Sequence, residues 1–196
     1  MSSNRHCKVA IFASGSGTNA EKIIEHLQSN KEVSFVILSN KKEAGIFQRA
    51  ERLKVPCFYY PKSAFDNGEV LQFLKNERVN LIVLAGFLLL IPQNLLENYL
   101  NKIINIHPAL LPKFGGKGMY GMNVHQAVIQ AKEKETGITI HYCNAHYDEG
   151  EIILQASCPV SPTDTPEDVA HHVQALEHQH FPKVVEKLVN EILDRA

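Results

Sequence analysis

The stretch Leu81-Ile82-Val83-Leu84-Ala85 decides the fold class of this chain. Every position in it is apolar, so a strand built from it has no polar face to turn toward water. Strands buried on both faces belong to parallel sheets, because crossover helices cover both sides of such a sheet. Toward the N-terminus the same kind of segment recurs. Val9-Ala10-Ile11-Phe12-Ala13 reads as a first strand, Val33 to Leu38 as a second and Cys57-Phe58-Tyr59-Tyr60 as a short third. Helical patterns separate them. Asn19 to Leu27 groups Ile23, Ile24 and Leu27, Ala44 to Leu53 is closed by Pro56, and Glu69 to Glu77 sets Val70, Phe73 and Leu74 on one face. Pro92 opens a further helix at its first position, where a missing N–H is harmless. Ile103-Ile104-Asn105-Ile106 is the fifth strand. This alternation predicts an α/β fold with a doubly wound, mostly parallel central sheet.

The second half changes character. Lys113 to Asn123 is a loop carrying Gly115, Gly116, Gly118 and Gly121, and Val124 to Lys132 reads as helix. Gly137 to Tyr142 and Ile152 to Ala156 are strands with no room for a crossover helix between them, so they are predicted to pair antiparallel. Thr165-Pro166-Glu167-Asp168 is a helix start, with Thr as N-cap, Pro at the first position and acids in the first turn. Val169, Val173, Leu176, Val184, Leu188 and Ile192 then mark a long C-terminal helix, expected to kink or break at Pro182.

A length of 196 residues suits one domain. We expect a single domain over 1–196, with a phosphate-binding parallel half to about residue 105 and a second half beyond it. Hydrophobic residues at 44% and charged residues at 21% are ordinary for a globular chain and exclude a disordered one. Lys plus Arg is 20 against 21 for Asp plus Glu, so no overall field draws the chain to nucleic acid or to an anionic membrane. The longest apolar run, Leu81 to Ile91, is shorter than the roughly 20 residues of a membrane span. Met1 to His6 lead into the first strand without the apolar core of a signal peptide. Cys7, Cys57, Cys143 and Cys158 form no Cys-x-x-Cys pair and read as small buried hydrophobes of a cytoplasmic protein.

Three segments carry candidate chemistry. Ser14-Gly15-Ser16-Gly17-Thr18-Asn19 joins the first strand to the first helix. Gly15 and Gly17 permit a tight turn, the helix start offers free N–H groups, and Ser16, Thr18 and Asn19 add side-chain donors, which together suit a phosphate. It lacks the Gly-Lys-Ser/Thr of a Walker loop, and Ala20 stands where a dinucleotide fingerprint has its third glycine. A plain strand–helix turn capped by Asn19 is the other reading. Asn105-Ile106-His107-Pro108 lies at the carboxyl end of a buried strand, where open α/β sheets bind ligands. Asn105 and His107 are two apart, so a continuing strand points both the same way. An amide donor and an imidazole there can stabilise an oxyanion and move a proton, or His107 is simply a satisfied strand-end histidine. Tyr147-Asp148-Glu149-Gly150 is turn chemistry, or it brings a carboxylate to His107 that raises the imidazole pKa. His171, His172, His178 and His180 read as solvated helix residues, since no zinc-ligand spacing accompanies them.

The motifs SGSGTN (14–19), LAGF (84–87), NIHPALLPKF (105–114), YDEGEIILQ (147–155) and EHQHFP (177–182) resemble, in order and spacing, the folate-dependent formyltransferases. The first and last of them resemble the phosphoribosylglycinamide branch, the GAR transformylases of purine synthesis. The resemblance implies a Rossmann-like formyltransferase fold with C-terminal antiparallel strands and a long terminal helix. It implies Asn105, His107 and Asp148 as catalytic residues. Gly15, Ser16, Gly17, Thr18 and Asn19 would hold the substrate phosphate, with Gln174 and Glu177 binding the ribonucleotide. Leu88, Leu89, Leu90 and Ile91 would line the folate site, together with Asn105, Asn144, Ala145, His146, Tyr147 and Asp148. The implied substrates are glycinamide ribonucleotide and 10-formyltetrahydrofolate, with no metal, nucleic acid or membrane partner, in a monomer or homodimer.

The implied chemistry is direct attack of the substrate amine on the formyl carbon. Asn105 and a protonated His107 donate to the oxyanion, while Asp148 keeps His107 charged and relays the amine proton. No acyl-enzyme is needed, which fits a chain without a Ser-His-Asp or Cys-His nucleophile set. Leu89 and Gly68 depart from the arginines that some bacterial members carry, so another basic residue would have to meet the folate tail. The loop over residues 113–127 is expected to act as a lid. His125, just after its glycines, is either a secondary site residue or a helix cap. A formyltetrahydrofolate hydrolase or methionyl-tRNA formyltransferase would want a further domain, and the latter a basic surface. A phosphate-ligand or folate-binding protein without turnover is the reading from another class.

Overall fold

The computed structural model of the chain describes residues 5–195. The reading of Met1-Ser2-Ser3-Asn4 as leaderless lies outside them. The chain divides into two units, one comprising residues up to Ile103 with those from Pro182 onward, the other Ile104–Phe181.

In the first unit, β1 (Cys7–Phe12), β2 (Val33–Ser39), β3 (Cys57–Tyr59) and β4 (Leu81–Leu84) alternate with α1 (Thr18–Leu27), α2 (Ile46–Leu53), α3 (Lys62–Asp66) and α4 (Glu69–Asn76), followed by α5 (Gln93–Asn98). β1 pairs parallel with β2 on one side and with β4 on the other, and β2 pairs parallel with β3. All four residues of β4 are buried, as an all-apolar strand requires. Ile11, Phe12, Ile37 and Leu38 are fully buried beside them. Phe12, Phe65 and Phe87 pack as a ring cluster with centroids 5.2–5.7 Å apart. Phe65 comes from α3, a short helix with no periodic signal of its own in the sequence.

The second unit holds β5 (Ile103–His107) from Ile104 onward, α6 (Met122–Gln130), β6 (Glu135–Tyr142), β7 (Ile152–Pro159) and the start of α7 (Pro166–Asp194). β6 pairs antiparallel with β5 and with β7, as predicted for β6 and β7. The strand order of the sheet is β3-β2-β1-β4-β5-β6-β7. The fold is the mostly parallel α/β sheet with antiparallel C-terminal strands and a long terminal helix.

Local differences from the sequence reading have physical causes. Pro92 is the N-cap of α5, not its first residue, with an extended backbone at φ −71°, ψ 154°. α7 does not break at Pro182 but runs through it. The proline removes one N–H from the helical ladder, while buried Val169, Val173 and Phe181 before it and Val184, Val185 and Val189 after it anchor the helix along both stretches. The start of α7 is a reciprocal capping box. Asp168 N–H donates to Thr165 Oγ1 (3.2 Å), and Thr165 N–H donates to Asp168 Oδ2 (2.9 Å).

The segment after β5 is fixed by one buried hydroxyl. Thr139 Oγ1 donates to Ala109 O (2.7 Å) and accepts from Leu111 N–H (3.0 Å) and Gln155 Nε2–H (2.9 Å). Gln155 also donates to Leu111 O (2.9 Å). The chain leaving His107 is therefore held against β6 and β7 through the fully buried Thr139 hydroxyl and the Gln155 amide.

Candidate active site

Asn105 and His107 lie on β5 at alternate positions, so their side chains share one face of the strand. The antiparallel register sets Asn105 directly opposite His141 of β6 and His107 opposite Thr139. Cross-strand neighbours meet side chain to side chain. Asp148 reaches the same place from the loop between β6 and β7. Its φ is +57°, a left-handed conformation that aspartate tolerates better than most residues. Two residues on, a Cβ at Gly150 would fall 1.6 Å from the carbonyl oxygen of Tyr142. Only glycine lets this loop cross β6 so closely, which gives the Asp-Glu-Gly run its structural reason. A register shift in the β6–β7 ladder lies beside it, between Ile140 and His141.

Three polar side chains and one backbone N–H converge on the Asp148 carboxylate. His107 Nδ1 is 3.4 Å from Oδ2, and His141 Nε2 is 3.6 Å from Oδ1. Asn105 Nδ2 lies 3.5 Å from Oδ1, and Gly116 N–H donates to Oδ2 at 2.9 Å. His107 and His141 are 4% and 2% exposed, so the cluster works at low effective dielectric. His107 Nε2 is 2.7 Å from the Phe114 carbonyl, which can only accept, so that nitrogen carries a proton. By the same logic His141 Nδ1–H donates to Tyr142 O (2.8 Å). Its Nε2 lies 3.2 Å from Asn105 Nδ2 and 3.6 Å from Asp148 Oδ1.

Burial lowers the His107 pKa below the usual imidazole value. Asp148 and the Phe114 carbonyl oppose that shift without reversing it, and His141 adds to it. Asp148 raises this pKa as expected, but loss of hydration outweighs a carboxylate at 3.4 Å and the net shift is downward. Burial also works against the Asp148 carboxylate, but its contacts with His141, His107 and Gly116 hold its pKa below the usual carboxylate value. The Asp148 carboxylate is thus held ionised 3.4 Å from an imidazole whose charged form burial disfavours.

This has a measurable consequence. The His107 ring, followed by NMR, titrates with a midpoint below the ordinary imidazole value of about 6.5, and lower still in Asp148→Asn. Between the folded and unfolded midpoints the unfolded chain binds the extra proton, so this group's contribution to stability falls as pH drops through about 6.5. A midpoint above the ordinary value would mean that Asp148 outweighs burial.

Within the first unit, Gly15–Asn19 leads into α1. Gly17 is its N-cap at φ +79°, and a Cβ there would meet Ile46 Cδ1 at 2.3 Å. Ser14 ties together the ends of three strands, since its Oγ donates to Asn40 Oδ1 (2.6 Å) and accepts from Leu88 N–H, and its N–H donates to Gly86 O. Gly15 and Ser16 are exposed, and Thr18 and Asn19 half-buried. Leu88 and Leu90 are exposed after β4, with Leu89 half-buried and Ile91 buried. In the second unit, Asn144, Ala145, His146 and Tyr147 are exposed in the loop that carries Asp148. Gln174 is exposed on α7 and Glu177 half-buried.

Among the described residues no group of His, Cys, Asp or Glu is placed to hold a metal ion, and no helix is long and apolar enough to cross a membrane. Residues 7–185 match the family model described as formyl transferase. The chain is 37% identical over 190 residues to the phosphoribosylglycinamide formyltransferase of Bacillus subtilis, covering 93% of this chain and 94% of that protein. The chain belongs to the phosphoribosylglycinamide formyltransferase family. The chloroplastic phosphoribosylglycinamide formyltransferase of Arabidopsis thaliana is 38% identical, over 95% of this chain and 67% of that protein. The crystal structure of the enzyme from Anaplasma phagocytophilum superposes with a TM-score of 0.85 at 32% identity, covering 94% of this chain and 87% of that one.

Two features of this formyltransferase escape a linear reading. His141 joins the cluster only through strand register, and pairing β5 against β6 on paper would have found it. His125 lies inside α6, whose N-cap is Gly121, so it caps nothing. It is buried, and burial lowers its pKa, with repulsion from His107 adding to the shift whenever that ring is protonated. Gly68 is the left-handed N-cap of α4 at φ +90°, so the backbone there favours glycine over the arginine of some bacterial members.

Proposed function

We propose that this chain transfers the formyl group of 10-formyltetrahydrofolate to the amine of glycinamide ribonucleotide, giving formylglycinamide ribonucleotide and tetrahydrofolate. The convergence of Asn105, His107 and Asp148 supports the reading best. The amine nitrogen forms a bond to the formyl carbon, and the carbonyl oxygen becomes an oxyanion. Asn105 Nδ2–H and His107 Nε2–H donate to it. His107 does so through Nε2–H, exchanging its present acceptor, the Phe114 carbonyl, for the oxyanion. The ionised Asp148 takes the amine proton, directly or through water, and that proton ends on the folate nitrogen as its bond to the formyl carbon breaks.

Gly15–Asn19 receives the substrate phosphate, with Gln174 and Glu177 on the ribonucleotide. Leu88–Ile91 and Asn144–Asp148 take the folate. The half up to about residue 105 then carries the phosphate loop, and the second half the catalytic groups and most of the folate site. The loop over 113–127 serves as a lid, and two of its backbone groups, Phe114 C=O and Gly116 N–H, are bonded to His107 and Asp148. The four unpaired cysteines suit the cytoplasm.

Release of tetrahydrofolate, followed with and without glycinamide ribonucleotide, tests the reading. Release that depends on the ribonucleotide is expected. Release without it would make the protein a hydrolase, and none in either case a binding protein.

A further inference from the structure

We propose that Arg49 of α2 is a positioning residue for the phosphate loop, setting the loop so that its N–H groups meet an anion; the inference rests on the phosphate assignment above. Three successive loop carbonyls each have a donor. Gly15 O accepts from Ile46 N–H (3.1 Å), Ser16 O from Arg49 Nε–H (2.7 Å) and Gly17 O from Glu21 N–H (3.0 Å). A carbonyl oxygen aimed at a bound phosphate would repel it, and these bonds engage all three oxygens with the protein. The first N–H groups of a helix have no acceptor within the helix, which suits a helix start to an anion.

Arg49 is the only side chain among these three donors. It is itself held, because Nη1 pairs with the Glu21 carboxylate, which also takes Arg52 Nη2. Glu21 is buried in the first turn of α1. An uncompensated carboxylate at that position would oppose a phosphate at the same helix start. Two guanidinium groups on one carboxylate leave the cluster with a net positive charge. Arg49 therefore does two things at once: it turns Ser16 O and cancels Glu21. Lysine can supply the charge but not the planar fork that spans Ser16 O and the carboxylate.

Arg49→Met and Arg49→Lys test this in the full-length chain. Steady-state kinetics in Arg49→Met should show the ribonucleotide KM raised about ten-fold or more, with kcat and the folate KM little changed. Arg49→Lys should recover part of that loss. A loss of kcat and of both substrates' affinities together, with a lowered melting temperature, would make Arg49 merely structural and overturn the proposal. Direct titration with ribose 5-phosphate gives a readout independent of turnover. Weaker binding in Arg49→Met than in wild type is expected. Equal binding would reject the role of Arg49 while leaving the phosphate site standing. No binding in wild type would reject the phosphate assignment and the role of Arg49 with it.

Discussion

Alanine at Asn105 or at His107 lowers kcat by about 10²–10³-fold, the usual effect of removing one preorganised donor to an oxyanion. The donors differ in what holds them. Asn105 is oriented by His141 Nε2 across the β5–β6 ladder, and His107 by the Phe114 carbonyl. Neither substitution touches the apolar core of β4 and β1. Removing a buried hydrogen-bonding partner costs about 1–3 kcal/mol, against a typical stability of about 5–15 kcal/mol. The variants therefore fold, which circular dichroism and a cooperative melt verify. Single-turnover rates with both substrates saturating then report the chemical step. Near-wild-type turnover in a folded variant would remove that residue from the oxyanion site.

Asp148→Asn gives the second large effect, a loss of about 10²–10⁴-fold expected for a missing proton acceptor. The substitution is clean in shape. Asparagine tolerates φ +57° as well as aspartate does, and its amide oxygen can still accept from Gly116 N–H. What disappears is the negative charge. The pH dependence separates this from a structural lesion. The Asp148 pKa is held below its unfolded value, so its stabilising contribution is present above about pH 4 and lost as pH falls through the folded value. Asp148→Asn lacks that acid-side loss and loses activity at every pH. On the acid side of the wild-type rate profile, protonating His107 would put a charge beside Asp148 and weaken it as a base. The wild-type acid limb accordingly falls below about 6.5. Activity that rises as pH drops through this range would favour a charged His107 as the working form.

Much of the site is legible in the chain because local geometry is periodic. The all-apolar Leu81–Leu84 could only be an inner strand, and it is buried at every position. Asn105 and His107 share a face because strand side chains repeat every two residues. Thr165-Pro166-Glu167-Asp168 starts a helix because its side chains satisfy the backbone groups a helix start leaves open. The resemblance of NIHPALLPKF and YDEGEIILQ to the formyltransferases agrees with the family match over residues 7–185.

Tertiary structure decided the rest. His141 entered the cluster through the register of β6 against β5, and register depends on which distant strand covers which face. The sign of the His107 shift turned on burial, which no spacing of residues encodes. Arg49 reached Ser16 O because α2 packs where its first turn bonds Gly15 O, a contact across 33 residues of sequence. α7 passed through Pro182 because buried residues along it outweigh one lost hydrogen bond. The sequence by itself determined the elements and the chemically capable residues, since backbone geometry and side-chain type are local. Partners, protonation and orientation came from tertiary structure, because each depends on what other parts of the chain exclude from water.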